Sequence, residues 1–368
     1  MRVLIACGGT SGHINPAIAI AEELRRRDSN NKILFVGTEN KLEADLVPRA
    51  GFDIKFIEIS GICRAKNFKG LVSNAKTAAK YVKARLVVKK IIEDFSPDIV
   101  IGTGGYVSAP VISEAVKMKC KTAIHEQNVF AGITTKMLSK KVDFVFLSFP
   151  LARPLPCDAD KCITVGNPVN PAFVGKIRED ARKKLSLPLD AKIAVSYGGS
   201  LGAARVNEAF YEMALLSDRD GRFIHIHGAG RDYESLTERL KGKVSDRIRV
   251  FKYIYDMPDV MAAADVIIAR SGAMTLTEIS AVGRASILIP SPNVTENHQY
   301  FNAKAYSDKN AAILIEEKDL SGERLYSELK ALMDNPYKIQ SMEMAARSLA
   351  RLSSLSDICD KIEETVGS

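Results

Sequence analysis

Between Asp265 and Gly283 a strand-like apolar run, Val266 to Ala269, meets a tight turn at Ser271-Gly272 and then a helix closed by Gly283. A helix that starts at such a turn aims its first free N–H groups, and the positive end of its dipole, off the strand's carboxyl edge. A phosphate or pyrophosphate suits that place. Glu278, about one turn into the helix, carries a carboxylate that can accept hydrogen bonds from a ribose. The plainer alternative is an ordinary strand–helix unit with Glu278 solvated.

His13 is the second chemical candidate. It ends the run Gly8-Gly-Thr-Ser-Gly-His13, ahead of Ile14-Asn15-Pro16, where Asn15 can cap a helix and Pro16 can take its first position. A helix dipole there depresses an imidazole's pKa and keeps a neutral nitrogen ready for a proton, as a general base requires. The alternative is a histidine that only hydrogen-bonds backbone or a phosphate. Two more glycine-rich turns follow apolar runs, Gly102-Thr-Gly-Gly-Tyr106 with Ser108, and Gly198-Gly-Ser-Leu-Gly-Ala203. One such loop is weak evidence. Three, with Ser271-Gly272, favour a nucleotide or phosphosugar ligand. None is a G-x-G-x-x-G followed by the acid expected ~20 residues later, and no Walker motif is present.

Runs of strand length alternate with helical patterns to position these turns. The first half predicts strands at Val3–Cys7, Ile33–Gly37, Ile54–Ile59, Ile99–Thr103, Thr122–His125 and Phe144–Leu147. The second predicts Ile193–Tyr197, Phe223–His227, Ile248–Tyr253, Val266–Ala269, Ser286–Ile289 and Ala312–Ile315. Repeated strand–helix alternation in two halves implies an α/β protein with two doubly wound parallel sheets, and a cleft between halves as the default ligand site. The proline-dense stretch from Pro150 to Pro168 separates the halves, giving domains 1–163 and 164–345 and a terminal segment 346–368.

A chain of 368 residues suits two domains, and its net charge of +8 points to an anionic partner. With no tryptophan and 7% aromatics it offers little base-stacking surface, so nucleic acid is disfavoured. The six cysteines form no CxxC pair and read as reduced thiols of a cytosolic protein. Met1-Arg2 runs directly into an apolar strand pattern rather than a signal peptide, and no apolar run reaches the ~18–20 residues of a membrane span. From Ile59 to Ile92 there is no acid, but Arg64, Lys66, Lys69, Lys76, Lys80, Lys83, Arg85, Lys89 and Lys90 are interleaved with Phe68, Leu71, Val72, Tyr81, Val82, Leu86 and Val87. Such a helix, joined by Lys140 and Lys141, suits an anionic membrane surface. The alternative is a solvated basic face with its apolar side packed inward. Asp158-Ala-Asp160 and Asp218-Arg-Asp220 resemble metal-binding triplets, but neither follows a long apolar strand, and no metal site is assigned.

Taken together, Gly8–His13, Glu43-Ala-Asp-Leu-Val-Pro48, His125-Glu-Gln-Asn128, Gly166-Asn-Pro-Val169, Gly198–Gly202 and Arg270–Glu278 resemble, in order, the motifs of the MurG family. These bacterial N-acetylglucosaminyltransferases convert lipid I to lipid II in peptidoglycan synthesis. The resemblance covers nearly the whole chain. It implies a GT-B fold, two Rossmann-like domains facing a cleft, with the last helix returning to the N-terminal one. It also implies an inverting transfer from UDP-N-acetylglucosamine (UDP-GlcNAc), bound mainly by the C-terminal half, to lipid I on the N-terminal half. No cofactor is strictly required.

The resemblance further implies donor contacts at Thr10, Ser11, Gly12, Asn128, Ser200, Ile254, Ala273, Met274, Thr275, Glu278, His298 and Gln299. It gives His13 a catalytic role, read here as accepting the acceptor's C4 hydroxyl proton. Glu126 is the second candidate base. Gly104, Tyr106 and His125 read as acceptor contacts, His125 and Glu126 having the alternative of a structural hydrogen-bond pair at the sheet edge. Lys66, Phe68, Lys69, Lys76, Lys80, Lys83 and Lys140 read as membrane contacts, on the cytoplasmic face of the cell membrane. Other cell-wall and division proteins are compatible partners. Two departures stand out: Asn170 follows Val169 where the family commonly has arginine, and His298 precedes Gln299 where some members carry a second glutamine. A UDP-sugar 2-epimerase of the same fold is the nearest alternative enzyme. A non-catalytic sugar-nucleotide-binding scaffold is the alternative of another class, and a dehydrogenase the weakest.

Overall fold

The computed structural model describes residues 1–60, 68–151, 153–199 and 202–367; for 68–79 and 295 the backbone alone is described. Lys66 and Ser200 lie outside the described residues, as do the side chains of Phe68, Lys69 and Lys76. The chain divides into two units, Met1–Asn170 with Ser353–Ser368, and Pro171–Leu352.

In the first unit the strands are β1 (Arg2–Ala6), β2 (Lys32–Gly37), β3 (Asp53–Phe56), β4 (Ile99–Gly102), β5 (Lys121–Glu126), β6 (Phe144–Leu147) and β7 (Cys162–Thr164). Between them run α1 (Ser11–Arg27), α2 (Glu43–Arg49), α3 (Phe68–Phe95), α4 (Gly105–Lys117) and α5 (Ile133–Leu138). The sheet is parallel, ordered β3-β2-β1-β4-β5-β6-β7. β1 is apolar from Val3 to Ala6 because both of its faces are covered there. Val3 and Ile5 face a core shared with α1, whereas Leu4 and Ala6 face one built from α3 and α4 (Val88, Ile92, Val107 and Val111). β7 escaped the sequence reading, since three residues inside a proline-rich connection give no periodicity.

The second unit holds β8 (Lys192–Tyr197), β9 (Phe223–Gly228), β10 (Ile248–Phe251), β11 (Val266–Ala269), β12 (Ala285–Leu288) and β13 (Ala312–Leu314). Its helices are α6 (Arg178–Lys184), α7 (Ala204–Asp220), α8 (Tyr233–Leu240), α9 (Met257–Ala263), α10 (Ala273–Val282), α11 (His298–Ser307), α12 (Gly322–Met333) and α13 (Pro336–Ser348). This sheet is also parallel, ordered β10-β9-β8-β11-β12-β13. In both sheets the chain order reverses beside the first strand, at β1/β4 and β8/β11, and ligands of doubly wound folds bind at such switch points.

The last helix, α14 (Ser354–Gly367), belongs to the first unit. Leu355, Ile358, Cys359 and Ile362, spaced for one helical face, pack against the α1 face of Ala17, Ala21 and Leu24. Arg27 ties the pair together, its guanidinium 2.6 Å from Asp360 and 2.7 Å from Glu363. The units part at Asn170/Pro171 and Leu352/Ser353, not at 163/164 and 345/346. The Gly166–Val169 segment stays with the first unit because buried side chains hold it there: His125 Nε2 donates to Gly166 O at 3.1 Å, and Ser148 Oγ to Asn167 Oδ1 at 2.6 Å.

Candidate functional site

In the first unit, the turns after β1, β4 and β5 converge on His13. Helix α1 begins at Ser11 with Thr10 as its N-cap, so His13 lies in the first turn and Pro16 inside the helix. This corrects the cap at Asn15: Thr10 O already accepts from His13 N and Ile14 N, at 3.0 and 3.2 Å. Gly104 (φ 109°) and Gly105 (φ 76°) let the second glycine turn approach. A Cβ on Gly104 would stand 2.4 Å from His13 Nδ1, and one on Gly105 2.3 Å from Gly8 O. Tyr106 lies across Gly9, and burial raises its hydroxyl's pKa.

His13 is half-buried, and desolvation lowers its pKa against the opposing pull of the Glu126 carboxylate. Its Nδ1 lies 3.1 Å from Gln127 Oε1. The backbone of Thr103 also favours the charged ring. With Nδ1 facing an amide oxygen, Nε2 is the nitrogen able to accept a proton.

Glu126 and His125, expected as a candidate base and an acceptor contact, are both buried and hydrogen-bonded within the first unit. Glu126 is 4% exposed, and both its oxygens are engaged. One accepts from Asn128 N at 3.1 Å and Asn128 Nδ2 at 3.3 Å, the other from Gly132 N at 2.8 Å and Thr135 Oγ1 at 2.6 Å. It anchors the start of α5 and the backbone of Asn128. Glu126→Gln would strip the acceptor from two of these donors. Each buried donor left unmatched costs about 1–3 kcal/mol, so a loss of about 2–6 kcal/mol is expected in urea unfolding. His125 is 1% exposed and engaged at both ring nitrogens, by Gln127 Nε2 at 2.9 Å and Gly166 O at 3.1 Å.

Two supports fall within motifs of the sequence, Glu43 in Glu43–Pro48 and Gln127 in His125–Asn128, though local pattern assigns neither a role. Glu43, fully buried, accepts from Gly9 N and Thr38 N, each at 3.1 Å, and from Thr38 Oγ1 at 2.6 Å, holding the first glycine turn open. Gln127, 3% exposed, links Thr103, His125 and His13. Asn170 uses its amide to donate to Glu22 at 2.9 Å.

In the second unit, α10 starts at Gly272, so Ala273, Met274 and Thr275 form the first turn, whose N–H groups lack intrahelical partners. Glu278, 7% exposed, lies one turn deeper and raises the pKa of buried Tyr197 as a lesser cause after desolvation. Ile254 and Tyr197 meet over Gly228, each 3.4 Å from where its Cβ would be. Ser271 Oγ donates to Gln299 O at 2.8 Å. Gln299 Oε1 accepts from Ser291 N at 2.9 Å, which leaves the amide N–H groups to present to a ligand. Just before them Glu296 and Asn297 are both left-handed (φ 55° and 50°), local strain at the first residues of α11, His298 and Gln299. Gly202 (φ 76°) closes the third glycine turn, where a Cβ would stand 2.4 Å from Ala229 O.

His225 and His227 are core residues: both are fully buried, and Ser196 bridges them, at 2.9 Å to His225 Nε2 and 2.6 Å to His227 Nδ1. Burial pushes His125 down to about 4 and His225 to about 3, from 6.5. A histidine with a lowered folded pKa takes its proton more readily when unfolded. These groups therefore leave stability intact above pH ~6.5 and subtract from it as pH falls from 6.5 toward their folded values, by at most about 1.4 kcal/mol per pH unit each. Urea midpoints at pH 7 and pH 5 should show the loss. The second aspartate triplet is otherwise employed: Asp218 accepts from Ser245 N at 3.1 Å, and Arg222 and Tyr326 hold Asp220 at about 2.

Family models match both units, the glycosyltransferase family 28 N-terminal domain over residues 3–147 and its C-terminal domain over 193–361. A relative from Acetivibrio thermocellus, named UDP-N-acetylglucosamine--N-acetylmuramyl-(pentapeptide) pyrophosphoryl-undecaprenol N-acetylglucosamine transferase, is 42% identical over 95% of this chain and 94% of its own. A Thermoanaerobacter sp. relative of the same name is 40% identical over the full length of both chains. Among solved structures, Acinetobacter baumannii MurG superposes with a TM-score of 0.70 over 99% of both chains at 26% identity. The two doubly wound units, each with glycine turns at its switch point, define a GT-B glycosyltransferase. The chain belongs to glycosyltransferase family 28, on the branch of these N-acetylglucosaminyltransferases.

Proposed function

We infer that the chain transfers N-acetylglucosamine from UDP-GlcNAc to the C4 hydroxyl of N-acetylmuramic acid in lipid I, giving lipid II. The observation that carries this is the 42% identity, across 95% of the chain, to a transferase of that name. In the reaction the acceptor oxygen bonds to the anomeric carbon from the face opposite the leaving group. The bond from that carbon to the diphosphate oxygen breaks with its electron pair, and the hydroxyl proton goes to a base.

The geometry supports His13 Nε2 as that base. Ala273, Met274 and Thr275 at the head of α10, with the Gly198–Gly202 turn, would bind the diphosphate and meet its growing charge. Glu278 would take the ribose hydroxyls, Ile254 the uracil, and the Gln299 amide N–H groups the sugar. Thr10, Ser11, Gly12 and Asn128 would contact the donor's sugar and phosphate, and Gly104 and Tyr106 the acceptor. Fixed dipoles of this kind need no strictly required metal, so turnover should survive EDTA. Radiolabelled transfer from UDP-GlcNAc to a lipid I analogue tests the activity. UDP released without acceptor would point instead to an epimerase.

Among the described residues no helix is long and apolar enough to cross a membrane. We place α3 on an anionic membrane surface. Ala84, Val88 and Ile92 pack inward, while Val82, Leu86 and Val87 remain exposed beside Lys83, as do Ile133 and Met137 of α5 with Lys140 near its end. Glu58 partly neutralises Lys80 and Lys83, at 3.0 and 3.6 Å. Each well-placed base contributes ~1 kcal/mol. Vesicles rich in phosphatidylglycerol should retain the protein at low salt, and neutral vesicles should not; equal retention by both would remove the electrostatic reading.

A further inference from the structure

We propose that Gln127 is a positioning residue for the transfer, fixing His13 in the tautomer that leaves Nε2 unprotonated. The inference rests on His13 being the base, and its geometry is independent of that role. Gln127 is buried at the end of β5, and its side-chain orientation is dictated by its surroundings. Nε2 lies 2.6 Å from Thr103 O, 2.9 Å from His125 Nδ1 and 3.3 Å from His125 O. A carbonyl oxygen only accepts, so the group facing Thr103 must be the NH2. Turning the amide over would set two oxygens 2.6 Å apart.

With the NH2 so placed, Oε1 faces His13 Nδ1 at 3.1 Å, and an amide oxygen can only accept. Nδ1 must therefore carry the proton. In a neutral imidazole that leaves the lone pair on Nε2. The other histidine checks the direction of the chain. His125 Nδ1 accepts from Gln127, so its proton sits on Nε2, where the carbonyl of Gly166 awaits it at 3.1 Å. The hydrogen bonds run in one direction only, from His13 Nδ1–H to Gln127 Oε1, from the Gln127 NH2 to His125 Nδ1 and from His125 Nε2–H to Gly166 O. Thr103 closes the arrangement, its Oγ1 donating to His13 O at 2.7 Å.

The consequence is chemical. When Nε2 takes the acceptor's proton, the imidazolium keeps its Nδ1–H on an amide that stabilises the charge but cannot take the proton away. The titratable groups that act on His13 are Glu126, whose carboxylate favours the charged ring, and His125. Without Gln127 the ring is free to adopt the other tautomer, with its proton on the nitrogen that must receive one.

Long-range proton–nitrogen NMR of the full chain, with its five histidines nitrogen-labelled and His13→Ala supplying the assignment, reads the tautomer directly. The expected result is Nδ1–H for His13 in the wild type and a mixture in Gln127→Met. In the transfer assay Gln127→Met should lower kcat by about 10-fold or more with donor KM within about twofold. Gln127→Glu, the isostere, should move the acidic limb of the kcat–pH profile up by about one unit or more and regain turnover at alkaline pH. Gln127→Met should show no such recovery, and should it fail to fold, the isostere's profile decides. An Nε2–H tautomer in the wild type, or an unchanged His13 tautomer in Gln127→Met, would overturn the proposal. Wild-type turnover in His13→Ala would instead overturn the base assignment. A normal His13→Ala defect beside unaffected Gln127 variants would overturn the role of Gln127 alone.

Discussion

Replacing His13 with alanine is expected to lower kcat by about 10²–10⁴-fold while the affinity for UDP-GlcNAc changes by no more than about twofold. The separation follows from where the residue stands. Its imidazole projects from the first turn of α1 in the first unit, whereas the α10 head, Glu278 and Gln299 all belong to the second. Loss of a base acts on the transition state and leaves the ground-state grip on the donor in place. Burial lowers the His13 pKa, so the group stays neutral and competent well into mildly acidic solution. Activity limited by His13 should fall only on the acid side of its lowered pKa, and the His13→Ala remnant should lose that limb. Isothermal titration with UDP-GlcNAc beside the radiolabelled assay separates the two effects. A variant that binds donor tenfold more weakly yet turns over normally would remove His13 from the chemistry.

Glu278→Ala should give the converse result, a dissociation constant for UDP-GlcNAc raised about 10- to 100-fold, since hydrogen bonds to a charged group contribute about 1.5–3 kcal/mol. Glu278 lies in the second turn of α10, nearly buried beside Tyr197, so its position is set by the helix and not by a mobile loop. The first turn of the same helix carries free N–H groups, so on the proposed reading one rigid element would serve both ends of a ribose diphosphate. Glu278→Gln keeps the shape and one acceptor oxygen, and should fall between wild type and alanine. Equal donor affinity in all three proteins would strike the ribose assignment. UDP alone should show the same ranking if the carboxylate holds the ribose and not the sugar.

Much of this molecule is written in local pattern. Unbroken apolar runs such as Val3 to Cys7 and Val266 to Ala269 announce strands buried on both faces, and the glycines that end them announce turns where backbone comes close to backbone. The two parallel sheets, the switch-point turns, His13 and Glu278 are legible on that basis, since each depends on residues within a few positions. Tertiary structure decided what periodicity does not encode. Glu126 and His125 look chemically available in sequence, yet partners that only the fold brings into reach engage them, Thr135 and Gly132 for the one, Gly166 and Gln127 for the other. Gln127 sits in the His125–Asn128 motif without a role that the motif reveals, because its meaning lies in bonds to Thr103 and His13, segments 24 and 114 residues away. The same holds for Glu43 under the first glycine turn, and for α14, whose apolar stripe says only that it packs, not that it packs on α1. A hydrogen bond's direction depends on which atoms the folded chain brings together, and that is settled only when strands far apart in sequence lie side by side.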